Sequence, residues 1–169
     1  MTTMASLVLM VFPVAMAFAA ANDLFTMQIP NRIPLALVGG FIVVALLSRM
    51  PLDVFGVNLA IGFAILAVTF GLYAFNLLGG GDAKLIAAGA IWIGAEHILD
   101  YVLQITIYGA ILSLAILAYR KFVPVAVLSL PGWAQRLHTD RGPIPYGIAI
   151  AAGALVVFPT TKLFLALMS

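Results

Sequence analysis

The sequence contains no cysteine and very little charge. Without cysteine there is no disulfide, no thiol nucleophile and no cysteine-ligated zinc site. Only 8% of the 169 residues are charged, whereas about a quarter are charged in a typical soluble domain. The net charge of +2 is too small and too scattered to indicate nucleic-acid binding. The composition therefore excludes thiol enzymes and cysteine-zinc domains, and it argues against a nucleic-acid partner.

What the sequence has in abundance is apolar residues, at 64% of the chain with a mean hydropathy of +1.20. These values predict an all-α polytopic membrane protein, and the length allows about five to seven spans of ~20 residues. We interpret residues 1–169 as a single transmembrane domain that forms a six-helix bundle. The predicted helices are about 4–22, 34–48, 54–76, 83–95, 101–119 and 146–167, and segment 120–142 is predicted to lie on the membrane surface.

The first apolar run, Met4 to Ala21, resembles a secretory signal because Ala17–Ala21 could be a cleavage site. Two features favour a retained helix instead. The preceding residues carry no Lys or Arg, and the rest of the chain consists of further membrane segments rather than a secreted domain. We therefore expect the first helix to remain part of the protein.

Basic residues indicate the orientation of the bundle. With six spans, six of the eight basic residues fall on one side, and the positive-inside rule places that side in the cytoplasm with both termini outside. Asp23 and Asp82, which do not enter the count, fall on the same side. The six are Arg32, Lys84, Arg120, Lys121, Arg136 and Arg141, whereas Arg49 and Lys162 fall on the other side.

The most distinctive stretch is Gly79-Gly80-Gly81-Asp82, between two long apolar runs. Three glycines are expected to end one helix and let the backbone turn tightly. Asp82 then lies in the first turn of the next helix, and an ionisable group beside a membrane segment is a candidate functional residue. Asp is also a good N-cap, so Asp82 taken by itself could be present only to hydrogen-bond the free backbone amides at the helix start.

A second acid strengthens the functional interpretation. Asp23 closes the first predicted helix, so Asp23 and Asp82 can share a site if those helix ends meet. Two close carboxylates cannot both ionise easily, so one pKa rises and the pair holds one proton. Such a pair can hydrolyse a peptide: one carboxylate takes a proton from water while the carboxylic acid protonates the scissile carbonyl.

No other catalytic set is visible in the sequence. The serines lack a nucleophile-elbow context, and the glycine turn lacks the Gly-Lys-Ser/Thr of a phosphate-binding loop. Glu96, His97 and Asp100 combine three metal-ligand types within five residues. We interpret them as caps at the membrane surface, and we predict neither a metal nor a cofactor.

These residues resemble a known family. Gly79–Asp82 fits the Gly-x-Gly-Asp motif of intramembrane aspartyl proteases, and Asp23 with Ile29-Pro30-Asn31 resembles the first aspartate motif of prepilin peptidases. Pro145-Tyr146-Gly147 at the start of the last helix is also similar to that family. The resemblance covers nearly the whole chain, and it is closest to the short, single-function members that serve Flp-type (tight-adherence, Tad) pili.

The resemblance implies an aspartyl endopeptidase that removes the short basic leader from type IV (Flp-type) prepilins, for pilus assembly and secretion. Asp23 and Asp82 would be the catalytic residues, and Gly79 and Gly81 would shape the turn that presents Asp82. The implied location is the bacterial inner membrane, with the active site facing the cytoplasm. The implied partners are the prepilin precursor, with its leader and apolar helix, and the lipid bilayer.

Larger members of that family also N-methylate the new terminus and often carry a cysteine-ligated zinc insert between their first two helices. Here the corresponding loop has about a dozen residues and no cysteine, so the resemblance gives no support for methylation. Two other interpretations remain open. One is a small transporter or channel subunit with a proton-binding aspartate pair. The other is a membrane assembly factor whose aspartates only cap helices.

Overall fold

The computed structural model describes residues 3–123, 131–139 and 142–168, and all regular structure in these ranges is helical. Eight α-helices follow one another, with a short 3₁₀ turn before α5 and another before α8. The bounds are α1 Thr3–Thr26, α2 Arg32–Leu47, α3 Leu52–Ala74, α4 Gly80–Ile93, α5 Ile98–Phe122, α6 Gly132–Leu137, α7 Gly147–Val157 and α8 Lys162–Met168.

Helix α3 shows the burial pattern of a lipid-facing span. The residues that it buries are small or polar, Asn58, Gly62 and Thr69, whereas large apolar side chains such as Phe63 and Val68 are exposed. A helix in water would bury the opposite set, because exposing apolar surface to water is unfavourable. The protein is therefore a helical membrane protein.

Two helical stretches among the described residues are long and apolar enough to cross a membrane, Leu52–Ala74 and Ala95–Phe122. A third is obtained if α7 and α8, which are bent by 55° at the break between them, form one span. The part Met10–Thr26 of α1 and the helix α2, Arg32–Leu47, are apolar stretches shorter than these spans. The six-span arrangement stays a prediction.

Helix α4 lies at the centre of the bundle. Every residue from Ala83 to Ile93 except Lys84 is buried, and α4 contacts α2, α3 and α7. The small residues along α4 allow this close packing: Gly89, for example, lies directly against Tyr101 and Met16. In the sequence alone, the small residues of this helix predict a central rather than lipid-facing position, and the burial of α4 confirms that prediction.

Trp92 of α4 anchors the core around it. Its indole Nε1–H donates to the Leu37 carbonyl oxygen of α2 at 2.9 Å, so the one polar atom of this buried side chain is satisfied. The rings of Phe12, Phe41 and Phe158 pack around Trp92 with centroids 5.1, 5.8 and 6.1 Å away. These contacts fix α1, α2 and the α7–α8 break against α4.

Several helix ends differ from the sequence-based bounds. Helix α1 continues to Thr26, one turn beyond the predicted end, so that Asp23 lies inside its last turn. The helix predicted at 146–167 is interrupted by the 3₁₀ turn Phe158–Thr160, because Pro159 has no N–H to continue the helix. In the predicted surface segment, α5 extends to Phe122 and α6 occupies Gly132–Leu137, while residues 124–130 and 140–141 lie outside the described residues.

The glycine run does not make the turn between α3 and α4, which corrects the expectation from the sequence. Asn76, with φ +58°, is the residue in the left-handed conformation after α3. Gly79 is extended, with φ −70° and ψ 142°, and Gly80 and Gly81 already belong to α4. Asn adopts the left-handed conformation more readily than most residues, so the turn needs no glycine.

The predicted cytoplasmic basic residues gather where α1 ends and α4 begins. Arg136 of α6 donates to the Phe25 carbonyl of α1 at 2.7 Å, and Arg120 of α5 donates to the Leu137 carbonyl of α6 at 2.7 Å. We call this the basic end of the bundle. The end where Glu96 and Lys162 meet is the opposite end. Arg141 lies outside the described residues.

Candidate active site

Asp23 is buried although its side chain is ionisable. Only 6% of its surface is exposed, and it lies in the last turn of α1 at the basic end. A buried carboxylate is costly unless hydrogen bonds compensate for the lost water. Here Asp23 Oδ2 accepts a hydrogen bond of 2.7 Å from the backbone N–H of Gly147.

Gly147 is the first residue of α7, and it reaches Asp23 because it has no side chain. A Cβ at this position would lie 2.9 Å from both Cβ and Oδ2 of Asp23, and 3.1 Å from Ile29 Cδ1. Its N–H is one of the amides that a helix start leaves without an intrahelical partner. The start of α7 therefore supplies a donor that both satisfies and positions the Asp23 carboxylate.

Asp82 is the third residue of α4, and it is less buried than Asp23. Its carboxylate accepts a hydrogen bond from the backbone N–H of Gly79, the N-cap residue. This is the backward-reaching half of a capping box, so the capping interpretation describes part of what Asp82 does. A carboxylate has about four acceptor sites, so this single bond leaves Asp82 free to hydrogen-bond in the cavity.

The glycines beside Asp82 provide space rather than conformational freedom. A Cβ on Gly79 would lie 2.6 Å from Asp82 Oδ2, and a Cβ on Gly81 would lie 3.0 Å from Ile29 Cβ. Gly79 thus lets the Asp82 carboxylate fold back onto the backbone. Gly81 lets the chain after α1 pack directly on the start of α4.

Asp23 and Asp82 line the same cavity of about 350 Å³, and their carboxyl groups interact electrostatically. The rest of the cavity wall comes from the loop Met27–Pro30 and from Gly79–Gly81. Neither acid forms an ion pair with Lys, Arg or His within the described parts of the chain. The structure therefore brings together two carboxyl groups, neither of which has an ion-pair partner in the described ranges.

The loop after α1 forms one wall of this cavity, and it is held at both ends. At its start, Met27 has φ +55°, which is uncommon for a residue with a long side chain, and Asn22 Nδ2 donates to the Gln28 carbonyl at 2.7 Å. At its far end, Lys84 Nζ donates to Asn31 Oδ1 at 2.9 Å. These bonds fix the loop between the two acids and α2.

The polar cluster at the opposite end does not form a comparable site. Lys162 pairs with Glu96, and His97 Nδ1 lies 3.2 Å from Asp100 Oδ2. No group of three metal-ligating side chains occurs among the residues that the structure describes. These acids are accordingly surface residues near helix starts.

The sequence singled out Asp23, Asp82, Gly79 and Gly81, and the structure brings the two acids to one cavity with both glycines in its wall. The sequence alone did not identify Gly147 as a partner of Asp23. The available signal was Pro145-Tyr146-Gly147: two prolines at 143 and 145 precede a helix whose first residue is glycine. Nor did it identify the contact between Lys84 and Asn31.

Comparison with models of known protein families gives a match. The model of the type IV leader peptidase family matches residues 10–119, about two thirds of the chain, and this region includes both acids. No curated protein and no solved structure matches the chain.

Proposed function

The chain belongs to the type IV leader peptidase family, and we propose that it is an aspartyl endopeptidase that removes the leader from Flp-type prepilins. The observation that carries the proposal is the shared cavity of Asp23 and Asp82, in which two carboxyl groups interact and neither has an ion-pair partner among the described residues. The family implies a prepilin-type substrate in general. The Flp-type substrate, the bacterial inner membrane and the cytoplasmic orientation are the finer parts of the proposal.

The chemistry follows from a pair that holds one proton between its two carboxyl groups. The ionised carboxylate takes a proton from a water molecule, whose oxygen attacks the scissile carbonyl carbon. The protonated partner donates its proton to the carbonyl oxygen. When the tetrahedral intermediate collapses, the C–N bond breaks and the leaving amine takes up a proton from the pair. Asp23 and Asp82 together are the proposed catalytic residues.

The position of the cavity suits a substrate that begins outside the membrane and continues into it. The cavity lies at the basic end of the bundle, where Arg120 and Arg136 gather, and the positive-inside rule assigns such an end to the cytoplasm. A leader there would reach the acids without crossing the bilayer. This position supports a peptidase over a transporter, because a transporter's acid pair is expected near the midplane.

The proposal is tested by expressing the protein with a candidate Flp-type precursor and following the loss of the leader by gel mobility and mass spectrometry. We expect Asp23→Asn and Asp82→Asn each to abolish cleavage while the protein remains in the membrane. Asp53→Asn is the matched control, because Asp53 also lies in the first turn of an apolar helix but at the opposite end. Cleavage by both single variants would refute the proposal.

A further substitution separates catalysis from capping. Asp82→Ser keeps a side chain that can bond to a helix-start amide but removes the carboxylate. The peptidase proposal predicts that Asp82→Ser is as inactive as Asp82→Asn. Full leader removal by Asp82→Ser would favour the capping interpretation, and ion flux in proteoliposomes without any cleavage would favour the transporter.

A further inference from the structure

A second and larger cavity, of about 750 Å³, opens between α2, α3 and α4. It lies on the other side of α4 from the catalytic cavity: Ile91, which lines it, is nine residues after Asp82 and so half a turn around the helix. Among the described residues of its wall, only Asn31 and Lys84, at its basic end, have polar side chains. We call it the α2–α4 groove, and its wall includes Val38, Leu59, Phe63, Ala67, Ala87 and Ile91.

The groove has the dimensions and the lining of a site for a transmembrane helix. Along α3 it extends from Leu59 to Phe70, a rise of about 16 Å, which equals about three helical turns. Helix α3 is a clear apolar span, so this length lies at membrane depth. Ala67 contributes an exposed small residue to the wall, and such residues let another helix approach closely in lipid.

The groove and the catalytic cavity lie next to each other, on two sides of the same chain segments. Pro30 lines the catalytic cavity and the next residue, Asn31, lines the groove. On α4, Asp82 faces the first and Lys84 faces the second. A peptide cleaved at the two acids therefore has an adjacent path into the membrane along α3 and α4.

The two cavities differ in charge in the way that a leader followed by an apolar helix requires. The catalytic cavity carries two acids, which attract a basic leader. The mouth of the groove carries the Lys84 ammonium group, whose hydrogen-bond partner is the neutral Asn31 side chain, and this cation repels a basic leader. Only an apolar segment is compatible with the groove beyond Lys84.

We propose that the α2–α4 groove holds the apolar helix of the precursor while its leader is cleaved at Asp23 and Asp82. This inference rests on the proposed function, since it assigns to the same substrate a second contact surface. Binding of the helix in the groove fixes where the chain emerges, and so it determines which peptide bond lies between the acids.

Cross-linking tests the inference directly, because the cysteine-free chain allows single cysteines to be introduced. Phe63→Cys places a thiol in the groove. Val68→Cys, on the same helix but outside the groove, is the control, and both parent side chains are exposed, at 69% and 62%. Under oxidation, we expect Phe63→Cys to form disulfides with precursor cysteines spaced three to four residues apart along its apolar helix. No cross-link, or equal cross-linking by Val68→Cys, would overturn the inference.

Cleavage kinetics provide an independent readout. Ala67→Trp fills the groove, whereas Ala64→Trp adds the same side chain to an exposed position of α3 outside it. For the full precursor, we expect kcat/KM to fall about tenfold with Ala67→Trp, equivalent to ~1.4 kcal/mol, and to be unchanged with Ala64→Trp. A peptide with the leader and cleavage site but no apolar helix should be processed equally by both variants.

The outcomes separate this inference from the proposed function. If the wild-type protein leaves the precursor intact, the proposed function fails, whereas the cross-links report occupancy of the groove without cleavage. If the wild type cleaves and Ala67→Trp processes the full precursor normally, the substrate helix does not use the groove and this inference fails while the proposed function stands. Only periodic cross-links together with a selective loss for the full precursor support the inference.

Discussion

The two ends of the bundle contain similar residues in different surroundings. At the opposite end, acids lie near helix starts: Asp53 is in the first turn of α3, and Asp100 is in the first turn of α5. At the basic end, Asp82 is in the first turn of α4. An acid near a helix start therefore occurs at both ends, and on its own it does not identify a site.

The difference lies in the group that each of Glu96, Asp100 and Asp82 has beside it. At the opposite end, Glu96 pairs with Lys162 and Asp100 with His97, and the acids of these pairs are more than half exposed, at 56% and 64%. At the basic end, the neighbouring charge of Asp82 is another acid, Asp23, and backbone N–H groups supply the donors. Exposed ion pairs contribute little energy, whereas close carboxylates must share a proton. The comparison indicates that the second carboxyl group beside Asp82 distinguishes the site.

The largest effect is expected from the glycine that holds Asp23. Gly147→Ala puts a Cβ at 2.9 Å from Asp23 Oδ2, so the carboxylate must move by a few tenths of an ångström or more. We expect leader removal to fall about a hundredfold, because small displacements of a catalytic group are costly. Gly39→Ala is the control, since a Cβ there meets nothing within 4 Å. Equal activity of the two variants, at equal amounts in the membrane, would show that this hydrogen bond is not needed.

An intermediate effect is expected when a cation is added to the wall of the catalytic cavity, which has no Lys, Arg or His among its described residues. Gln28 is exposed and lines the catalytic cavity, so Gln28→Lys brings an ammonium group toward the acids. A nearby cation favours the ionised carboxylates, so both limbs of the pH–activity profile should move to lower pH by about one unit. Gln28→Met is the uncharged control. A profile with Gln28→Lys that coincides with that of the control would contradict the role assigned to charge.

The smallest effect is expected from the loop contact. Lys84→Met removes the 2.9 Å hydrogen bond to Asn31 and loosens the loop beside the acids, so activity should fall about fivefold, as for the loss of ~1 kcal/mol. Lys162→Met breaks an exposed ion pair at the opposite end, and it should change activity less than twofold. A larger loss of activity with Lys162→Met than with Lys84→Met would contradict the expectation that activity depends more on the basic end than on the opposite end.

Features that depend on composition or on local residue spacing could be predicted from the sequence. Composition predicted a helical membrane protein, and the small residues of α4 predicted its central position. The two aspartate motifs and the distribution of basic residues predicted that Asp23 and Asp82 lie at one end, and the structure places both in one cavity. These features could be predicted because each rests on local spacing or on a count.

Features that depend on distant neighbours could not be predicted. The bond between Gly147 and Asp23 joins residues 124 positions apart, and no local pattern indicates it. The function of Gly79 and Gly81 was assigned to the turn, whereas Asn76 makes the turn and the glycines provide space for Asp82 and Ile29. Whether a glycine serves conformation or close approach depends on what packs against it.

The central claim is that Asp23 and Asp82 act as one pair that holds a single proton, and the pH dependence of leader removal tests it most directly. The measurement uses purified protein in defined lipid vesicles, with the precursor as substrate. We predict a profile with an acid limb and an alkaline limb, because activity requires one ionised and one protonated carboxyl group. A rate that stays constant over several pH units would contradict the shared proton and the mechanism that depends on it.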